Sequence, residues 1–361
     1  MIPSGKPFLP DLKIYEEYLS GIWARNHLTN HGPLVAELEQ RLKAFFGVKH
    51  FFYVNNGTLA LQIAIKALDL KGEIITTPFS YVATTSSIVW SDLTPVFVDI
   101  DPLDFTLDAE RIESAISPVT SAILATHIYG IPCATNRIQE IAFRHNLKVI
   151  YDAAHAFGVE IGGKGVLNFG DISTISFHAT KLFHTVEGGG IATNNDELAH
   201  RINYMRNFGH QGYEDFYGLG INGKNSEFHA AMGLCLFPHI STLLNRRKIQ
   251  SEHYDKQLTL ASSHLQKPRL PSGIRYNYAY YPLIFETEET MLRVRDALEN
   301  EAIYPRRYFY PALTRLPYMK TQPMSVAESV SGKVLCLPLY HDLTLNQIGD
   351  ICDIIASQLI R

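Results

Sequence analysis

Short apolar runs alternate with amphipathic segments between residues 50 and 210. Leu59, Ile63 and Ala67 recur at helical spacing and predict a helix over residues 58–68. Further helices are predicted over residues 82–90, 136–145 and 196–207, and strands over residues 51–54, 73–77, 95–100, 121–127, 148–151, 171–177 and 190–193. Near-continuous apolar strands separated by helices are typical of an α/β fold, with a mostly parallel sheet covered on both faces. In such a sheet, ligands bind at the carboxyl ends of the strands.

The pattern changes after about residue 245. A charged helix is predicted over residues 245–260, and an aromatic, strand-like run follows at residues 276–285. Two more helices are predicted over residues 288–301 and 345–359. We therefore expect a large domain with an N-terminal arm over residues 1–244 and a smaller α+β domain over residues 245–361. The chain length supports two domains, because single hydrophobic cores stop growing at roughly 250–300 residues.

Composition narrows the class of partner. The formal charge of -4 provides no basic field for nucleic acid or for an anionic membrane. No run approaches the roughly 20 apolar residues of a membrane span, and residues 1–9 lack the pattern of a signal peptide. The cysteines lie apart, without a C-x-x-C pair, and are typical of reduced thiols in a cytoplasmic protein: Cys133, Cys235, Cys336 and Cys352. His178 and His184 lack carboxylate or cysteine partners at ligand spacing, so no metal site is expected.

The first segment with candidate chemistry is Asn-Asn-Gly-Thr-Leu-Ala at residues 55–60. It follows a predicted strand and opens a predicted helix. There, Gly57 and Thr58 offer backbone N–H groups and a hydroxyl to an anion, and phosphate is the usual guest. The alternative is an ordinary helix cap by Asn56 or Thr58, which the segment taken alone favours.

The second segment is Tyr-Asp-Ala-Ala-His-Ala-Phe-Gly at residues 151–158. Asp152 directly follows an apolar strand and is placed to pair with a pyridinium nitrogen, which makes the ring an electron sink. His155 lies close enough in sequence to share the site. The alternatives are that Asp152 caps the next helix and that His155 is a structural histidine.

The third segment runs from Ser176 to Gly190, and Lys181 lies in it just after a strand end. A lysine forms a Schiff base once its surroundings partly deprotonate the amine. Ser176 is placed to donate to a phosphate, and the glycines let the backbone approach closely. A lone loop lysine is ordinarily a solvated surface residue. Asp152 lies one βαβ-sized step upstream, however, which predicts neighbouring strand ends for the two side chains.

Together these segments resemble the DegT/DnrJ/EryC1/StrS family of sugar aminotransferases. The resemblance rests on Ser-Phe-His-Ala-Thr-Lys and Glu-Gly-Gly in the third segment, Asp-Ala-Ala-His in the second and Asn-Gly-Thr-Leu-Ala-Leu in the first. Residues 29–33 and 220–224 also fit, so it covers essentially the whole chain in order. It implies the aspartate aminotransferase (type I) fold with a seven-stranded type of sheet, pyridoxal 5'-phosphate as cofactor, and a homodimer with active sites at the subunit interface.

The resemblance also implies residue roles. Lys181 would hold the cofactor as a Schiff base and then shuttle protons, Asp152 would pair with the pyridine nitrogen, and His155 would sit beside the phenolic oxygen. The other implied cofactor contacts are Gly57, Thr58 and Ser176 at the phosphate, Tyr81 stacked on the ring, and Asn222 reaching the phosphate from the partner subunit. The alternative for Tyr81 is a plain core position.

Two positions depart from the family pattern. Lys224 stands where an arginine is common, and its point charge replaces a bidentate fork. Val186 stands where a glycine precedes Glu-Gly-Gly. A nucleotide-linked substrate predicts cationic and aromatic residues in the outer cleft, and the candidates are Lys224, Arg306, Arg307, Tyr308 and Tyr310. The alternative for the 305–311 segment is a strand edge with a solvated arginine pair.

The activity implied is transfer of an amino group from L-glutamate to the keto carbon of a nucleotide-diphosphate 6-deoxy sugar, in two half-reactions. The chain is most similar to enzymes that convert dTDP-4-keto-6-deoxyglucose into dTDP-4-amino-4,6-dideoxyglucose, as in O-antigen synthesis. The runner-up is amination at C3 of a dTDP-3-keto-6-deoxyhexose. A sugar dehydratase of this family has histidine in place of the lysine, so Lys181 argues against it. A non-enzymatic regulator is disfavoured because Asp152, His155 and Ser176 are also retained.

Overall fold

The protein is described by a computed structural model that covers residues 1–320 and 322–359. The helices of this part are α1 (Leu12–Arg25), α2 (Pro33–Phe46), α3 (Gly57–Ala67), α4 (Ala83–Trp90), α5 (Thr135–His145), α6 (Asp196–Met205), α7 (Glu227–Leu236), α8 (Ile240–Gln257), α9 (Glu288–Asn300), α10 (Ser325–Lys333) and α11 (Leu345–Leu359). None of these helices combines the length and the apolar character needed to cross a membrane.

The strands of the same part are mostly short. They are β1 (Ile2–Pro3), β2 (His50–Val54), β3 (Glu73–Thr76), β4 (Thr94–Phe97), β5 (Thr120–Thr126), β6 (Lys148–Asp152), β7 (Glu160–Ile161), β8 (Lys164–Gly165), β9 (Ile172–Ser176), β10 (Gly189–Thr193), β11 (His210–Gln211), β12 (Asp215–Phe216), β13 (Leu265–Gln266), β14 (Ile274–Arg275), β15 (Tyr281–Phe285), β16 (Ile303–Tyr304) and β17 (Val334–Leu337). Seven of them form the main sheet.

The main sheet has the order β2-β10-β9-β6-β5-β3-β4. β10 runs antiparallel to β2 and β9, and all other neighbours are parallel. The predicted α/β class is thus confirmed. The carboxyl ends of β2, β6 and β9 meet at one edge, because Gly189 of β10 pairs with both Val54 and Ser176 while Asp152 pairs with Thr174.

Helices cover both faces of this sheet, as the apolar strands predict. Residues that alternate along a strand point to opposite faces. Ile150 packs in a cluster with residues of α3 and α6, whereas its neighbours Val149 and Tyr151 pack with residues of α5. The buried strands therefore read as continuous apolar runs rather than alternating ones.

A smaller antiparallel sheet, β13-β15-β17, lies in the C-terminal part. Its apolar side chains pack with those of α8, α9 and α11 in a separate cluster. β1 of the N-terminal arm pairs in parallel with β16 of this part. The boundary at residues 244/245 stays a prediction, since α8 runs through that point without a break; residues 360–361 of the predicted domain lie outside the described part.

The predicted strand over residues 276–285 is wrong in its first half, because β15 begins only at Tyr281. The reason lies at Asn277, whose Nδ2 donates to the carbonyl oxygens of His155 and Phe157 at 2.8 and 3.0 Å. These bonds hold the segment against the loop after β6 instead of in a sheet ladder. The predicted strand over residues 95–100 likewise ends at Phe97.

Candidate active site

A cavity of about 860 Å³ opens where the carboxyl ends of β2, β6 and β9 meet. Each predicted cofactor residue lies on its wall: Gly57, Thr58, Tyr81, Asp152, His155, Ser176, Lys181 and Asn222. The sheet places these residues together although they are distant in sequence. The C-terminal part of the chain supplies the opposite wall, with Arg247, Tyr280, Arg306 and Tyr308.

The N-terminus of α3 forms one end of the cavity. Asn56 caps this helix, because its side-chain oxygen accepts a hydrogen bond from the Leu59 amide at 2.8 Å. The amides of Gly57 and Thr58 precede Leu59 and have no acceptor among the described residues. The cap and the anion site, which appear as alternatives in the sequence, therefore coexist: the cap uses one N–H group and leaves two for a ligand.

Ser176 lies beside this helix end. A Cβ atom added to Gly57 would come within 3.0 Å of the Ser176 Cβ, so glycine allows the helix to approach β9. Gly189 packs even more closely, since a Cβ there would lie 2.4 Å from the carbonyl carbon of Asn56. The glycines after Glu187 thus bring two parts of the backbone together and hold the α3 N-terminus in place.

Val186 has a φ of 67°, in the left-handed region that favours glycine. This conformation accounts for the glycine that the family pattern has there. The side chain is exposed, and the Val186 amide donates to His184 Nδ1 at 3.3 Å.

Asp152 is buried at the floor of the cavity. Thr84 Oγ1 donates to its Oδ2 at 2.9 Å, and the Ala154 amide donates to its Oδ1 at 3.1 Å. Burial raises the pKa of the carboxyl group, while these two donors and Lys181 oppose the rise. Asp152 forms no salt bridge within the described residues, and no helix begins directly after it there. The helix-cap alternative is therefore wrong.

His155 is buried next to Asp152. Its Nδ1 accepts a hydrogen bond from the Tyr129 amide at 3.3 Å, so the neutral ring carries its proton on Nε2. Burial lowers the pKa of His155 well below its ordinary value, with Lys181 adding to the effect. The ring stacks on Phe309 at 5.4 Å between centroids. His155 is therefore a neutral, oriented hydrogen-bond donor on the cavity wall.

Lys181 reaches the same space from the loop after β9. Its Nζ donates to the Tyr280 hydroxyl oxygen at 3.3 Å. Burial lowers the pKa of the amine, and the charges of Asp152, Tyr308 and Tyr81 oppose this effect. A lowered pKa increases the fraction of neutral, nucleophilic amine. β6 and β9 are neighbours as predicted, but the hairpin β7–β8 connects them rather than a helix.

The predicted substrate residues divide into two groups. Arg306 and Tyr308 line the cavity, and Arg306 Nη1 donates to the Tyr308 hydroxyl at 2.7 Å. Arg307 and Tyr310 do not line it, and their contact with a substrate stays a prediction. Arg307 instead pairs with Glu288 at 2.6 Å and lies 3.6 Å over the Tyr310 ring. The Arg307 charge is therefore paired and is not freely solvated.

Lys224 also lies outside the cavity wall but touches a residue of it, and its contact with a substrate stays a prediction. Its Nζ donates to the Asn222 side-chain oxygen at 2.8 Å. Lys224 is buried and lies 4.5 Å over the Phe208 ring. Asn222 lines the cavity of its own chain, and its reach across a subunit interface stays a prediction.

Three residues of the site were missed from the sequence: Thr84, Tyr280 and Arg247. Thr84 lies on α4, where a hydroxyl gives no sign of its partner. Tyr280 lies in the aromatic run at residues 276–285, directly before β15 begins. A signal for Arg247 exists, because it falls on the stripe of α8 that buries Leu243, Gln250 and Tyr254. A charged residue on a buried stripe indicates a special environment.

The arrangement fits pyridoxal 5'-phosphate. Two free amides and a hydroxyl form a cradle for a phosphate, and the Asn55 side-chain oxygen beside them is buried without a partner among the described residues. The Asp152 carboxylate forms no salt bridge in the part of the chain that the structure describes and can take a protonated ring nitrogen. The Lys181 amine has a lowered pKa and can bond to an aldehyde.

Comparison with known proteins gives a consistent result. The sequence model of the DegT/DnrJ/EryC1/StrS aminotransferase family matches residues 14–356. A dTDP-4-amino-4,6-dideoxy-D-glucose transaminase of Shigella dysenteriae is 42% identical, with 98% of this chain and 97% of that protein covered. Its counterpart in Escherichia coli is 39% identical over 99% of both chains. The crystal structure of DesI in the presence of its TDP-sugar product has a TM-score of 0.94 at 31% identity, covering 100% of this chain and 93% of DesI.

Proposed function

Because the chain belongs to the DegT/DnrJ/EryC1/StrS aminotransferase family, whose members depend on pyridoxal 5'-phosphate, we propose that it transfers an amino group from L-glutamate to a nucleotide-linked keto sugar. The substrate proposed is dTDP-4-keto-6-deoxyglucose, and the product is dTDP-4-amino-4,6-dideoxyglucose. The observation that carries the proposal is the shared cavity of the Lys181 amine and the Asp152 carboxylate.

The choice of sugar draws on the relatives. Two of them, similar along nearly their whole length, are named for this 4-amino sugar, and DesI was crystallised with a TDP-sugar product. The cavity supports a ligand larger than an amino acid, since it is open and about 860 Å³ in volume. Arg306 and Tyr308 offer a cation and an aromatic ring on its wall.

The cofactor, when bound, supplies an electron-withdrawing ring that stabilises negative charge at the carbon bearing the amine. Lys181 would hold the cofactor covalently. Once released, its Nζ would move the proton between the substrate carbon that bears the amine and the carbon on the cofactor side of that nitrogen. Asp152 would keep the ring nitrogen protonated. Its carboxylate is available for this ion pair because it is buried and forms no salt bridge within the described residues. His155, neutral and protonated at Nε2, would donate to the phenolic oxygen.

The remaining cofactor contacts position the group. Gly57 and Thr58 would bind the phosphate through their amides at the positive end of α3, together with the Ser176 hydroxyl. Tyr81 would stack on the ring and shield it from water. Asn222 would complete the phosphate contacts, from the partner subunit.

We propose further that the protein works as a cytoplasmic homodimer in O-antigen or related surface-glycan synthesis. Large apolar side chains are exposed on α1 and in the segment that precedes Asn222, and a second copy would cover them: Trp23, Tyr213, Phe216, Leu219 and Ile221. The free thiols are all buried, which suits a reducing compartment: Cys133, Cys235, Cys336 and Cys352.

The test begins with the purified protein and pyridoxal 5'-phosphate. We expect a visible absorbance band that disappears when L-glutamate is added and returns when dTDP-4-keto-6-deoxyglucose is added. NMR of the product should show the new amine at C4. Matched reactions with UDP- and GDP-linked keto sugars control for the nucleotide.

Two results would contradict different parts of this proposal. A protein that stays colourless with added cofactor would overturn amino transfer as such. A band that glutamate discharges, with amination only at C3 or only of another nucleotide sugar, would overturn the proposed substrate alone.

A further inference from the structure

Helix α8 brings a buried guanidinium into the cavity wall. Arg247 is 9% exposed, and its Nη1 donates to the Ala279 carbonyl oxygen at 2.8 Å. In residues 1–320 and 322–359 it has no other hydrogen-bond partner and forms no salt bridge. Buried arginines are ordinarily paired, because removing their charge from water is costly. One carbonyl leaves most of the five N–H donors of this planar fork unused.

The Tyr280 hydroxyl contacts the reacting lysine, and Tyr280 lines the same cavity as Arg247. Lys181 Nζ donates to this hydroxyl at 3.3 Å. Arg247, Arg306 and Tyr280 line the same cavity as Lys181. Burial raises the pKa of the Tyr280 phenol, and the charges of Arg247 and Arg306 both oppose that rise. Burial also lowers the pKa of Arg247 to about 10, which leaves the side chain cationic at neutral pH. A positive group therefore shares the cavity with the Lys181 amine.

We propose that Arg247 is the receptor for a carboxylate of the amino donor. This inference rests on the proposed function, which identifies the donor as L-glutamate. The planar fork of arginine matches the two oxygens of a carboxylate, and such bidentate pairs are strong where water is excluded. Binding would supply the missing counter-charge and would orient the donor's amine toward the Lys181 side of the cavity.

The competing anion is the diphosphate of the nucleotide sugar. In an amino acid the α-carboxylate lies one carbon from the amine, so it must stay near the reacting centre. In the sugar nucleotide, a pyranose ring separates the diphosphate from the ketone. The buried position of Arg247 on the wall of the cavity that holds Lys181 suits the small donor. Arg306 lies at an exposed position of the same wall and suits the larger substrate.

The chain offers a matched control in the next residue. Arg246 is exposed on the same helix and is absent from the cavity wall. Arg247→Met and Arg246→Met remove the same charge from the same helix, one turned into the cavity and the other toward solvent. Arg247→Lys retains a cation without the planar fork.

The experiment measures the two half-reactions separately in the holoenzyme. L-Glutamate discharges the visible band in one, and the keto sugar restores it in the other. For Arg247→Met we expect the concentration of glutamate needed for half-maximal rate to rise by about tenfold to a hundredfold. The value for the sugar nucleotide should stay unchanged. Arg247→Lys should lie between Arg247→Met and the wild type, and Arg246→Met should match the wild type in both half-reactions.

A glutamate dependence that is unchanged in Arg247→Met would overturn the inference. So would a change confined to the sugar nucleotide, which would make Arg247 a diphosphate receptor. Both results require a wild-type enzyme that transfers the amine, so they are distinct from a failure of the proposed function, in which the wild type itself is inactive.

A measurement on the wild-type holoenzyme covers the case in which Arg247→Met does not fold. Phenylglyoxal modifies accessible arginines, and mass spectrometry of the peptides locates each modified site. We expect glutarate, a dicarboxylate without an amine, to protect Arg247 and to leave Arg246 modified. Modification of Arg247 that glutarate does not slow would contradict a carboxylate site.

Discussion

The two walls of the cavity differ in how their residues are specified. The wall formed by the main sheet takes its polar groups from short continuous segments, at residues 55–58, 152–155 and 176–181. The wall formed by the C-terminal part takes single residues from separate elements: Arg247 from α8, Tyr280 from the segment before β15, and Arg306 and Tyr308 from the loop after β16. The wall formed by the main sheet can therefore be recognised from sequence motifs, whereas the wall formed by the C-terminal part cannot.

This difference reflects two tasks. A cofactor of constant shape requires constant contacts, and backbone groups at strand ends and at a helix N-terminus supply them from local sequence. Substrates vary, and a wall of independent side chains can change one residue at a time. We therefore expect substitutions in the sheet wall to affect both half-reactions, and substitutions in the C-terminal wall to affect one.

The largest effect is expected at Lys181. Replacement by alanine removes the covalent attachment and the proton carrier together, so turnover should fall by about 10⁴-fold or more. The visible band should also be lost, and both half-reactions should stop. Lys66→Ala, at an exposed position of α3, serves as the control. A Lys181→Ala variant with wild-type turnover would contradict the site as a whole.

A smaller but general loss is expected for Asp152→Asn. The amide keeps the shape and can still meet Thr84 and Ala154, but it no longer stabilises a protonated ring nitrogen. We expect kcat to fall by roughly 10²-fold in both half-reactions while the band persists. Asp350→Asn on the exposed face of α11 is the control. A loss confined to one half-reaction would erase the distinction between the two walls.

Tyr280→Phe probes the opposite wall. The hydroxyl accepts a hydrogen bond from Lys181 Nζ, and its loss should reduce kcat by about 3–10-fold, the value of one ordinary hydrogen bond. Phenylalanine keeps the ring packed against His155. The absorbance band should be retained. A steady-state assay measures the change in kcat, and an absorbance spectrum of the same variant checks the band. A loss as large as that of Asp152→Asn would mean that Tyr280 belongs with the cofactor residues.

The pH dependence of cofactor attachment tests the electrostatics of the sheet wall. The attachment rate should rise with pH as the Lys181 ammonium loses its proton, with a midpoint below the 10.5 of an ordinary lysine. The Asp152 carboxylate raises the pKa of Lys181, so Asp152→Asn should move the midpoint to lower pH. Stopped-flow absorbance of the apoprotein mixed with cofactor measures both profiles. A midpoint that moves upward in the variant would show that the two groups do not interact as described.

The smallest effect is expected at Val186, where strain sits beside the sheet wall. Glycine relieves a left-handed backbone that costs about 1–3 kcal/mol, offset by roughly 0.5–1 kcal/mol of chain entropy. Val186→Gly should therefore raise the thermal midpoint slightly and leave turnover unchanged. Val119→Gly, at another exposed valine with ordinary φ, should not raise it. A lower midpoint for Val186→Gly would indicate that the valine side chain is stabilising.

The class of fold and the residues of the cofactor wall can be recognised in the amino-acid sequence alone. Buried strands such as β5 and β6 are largely apolar runs, so they can be recognised without a structure, and β6 ends at a functional residue, Asp152. The segments around Gly57, Asp152 and Lys181 keep their meaning because each is a local backbone feature, a helix start or a strand end. Their assembly at one edge follows from parallel strands.

The residues of the C-terminal wall can be identified only from the packing of the folded chain. Arg306 and Arg307 are neighbours in sequence, yet one lines the cavity and the other pairs with Glu288 on α9. Arg247 lies on the buried stripe of α8, which the sequence does indicate, but only packing shows that it lines the cavity that holds Lys181. Which cavity or partner a side chain reaches depends on contacts between elements distant in sequence, and those contacts have no local signature.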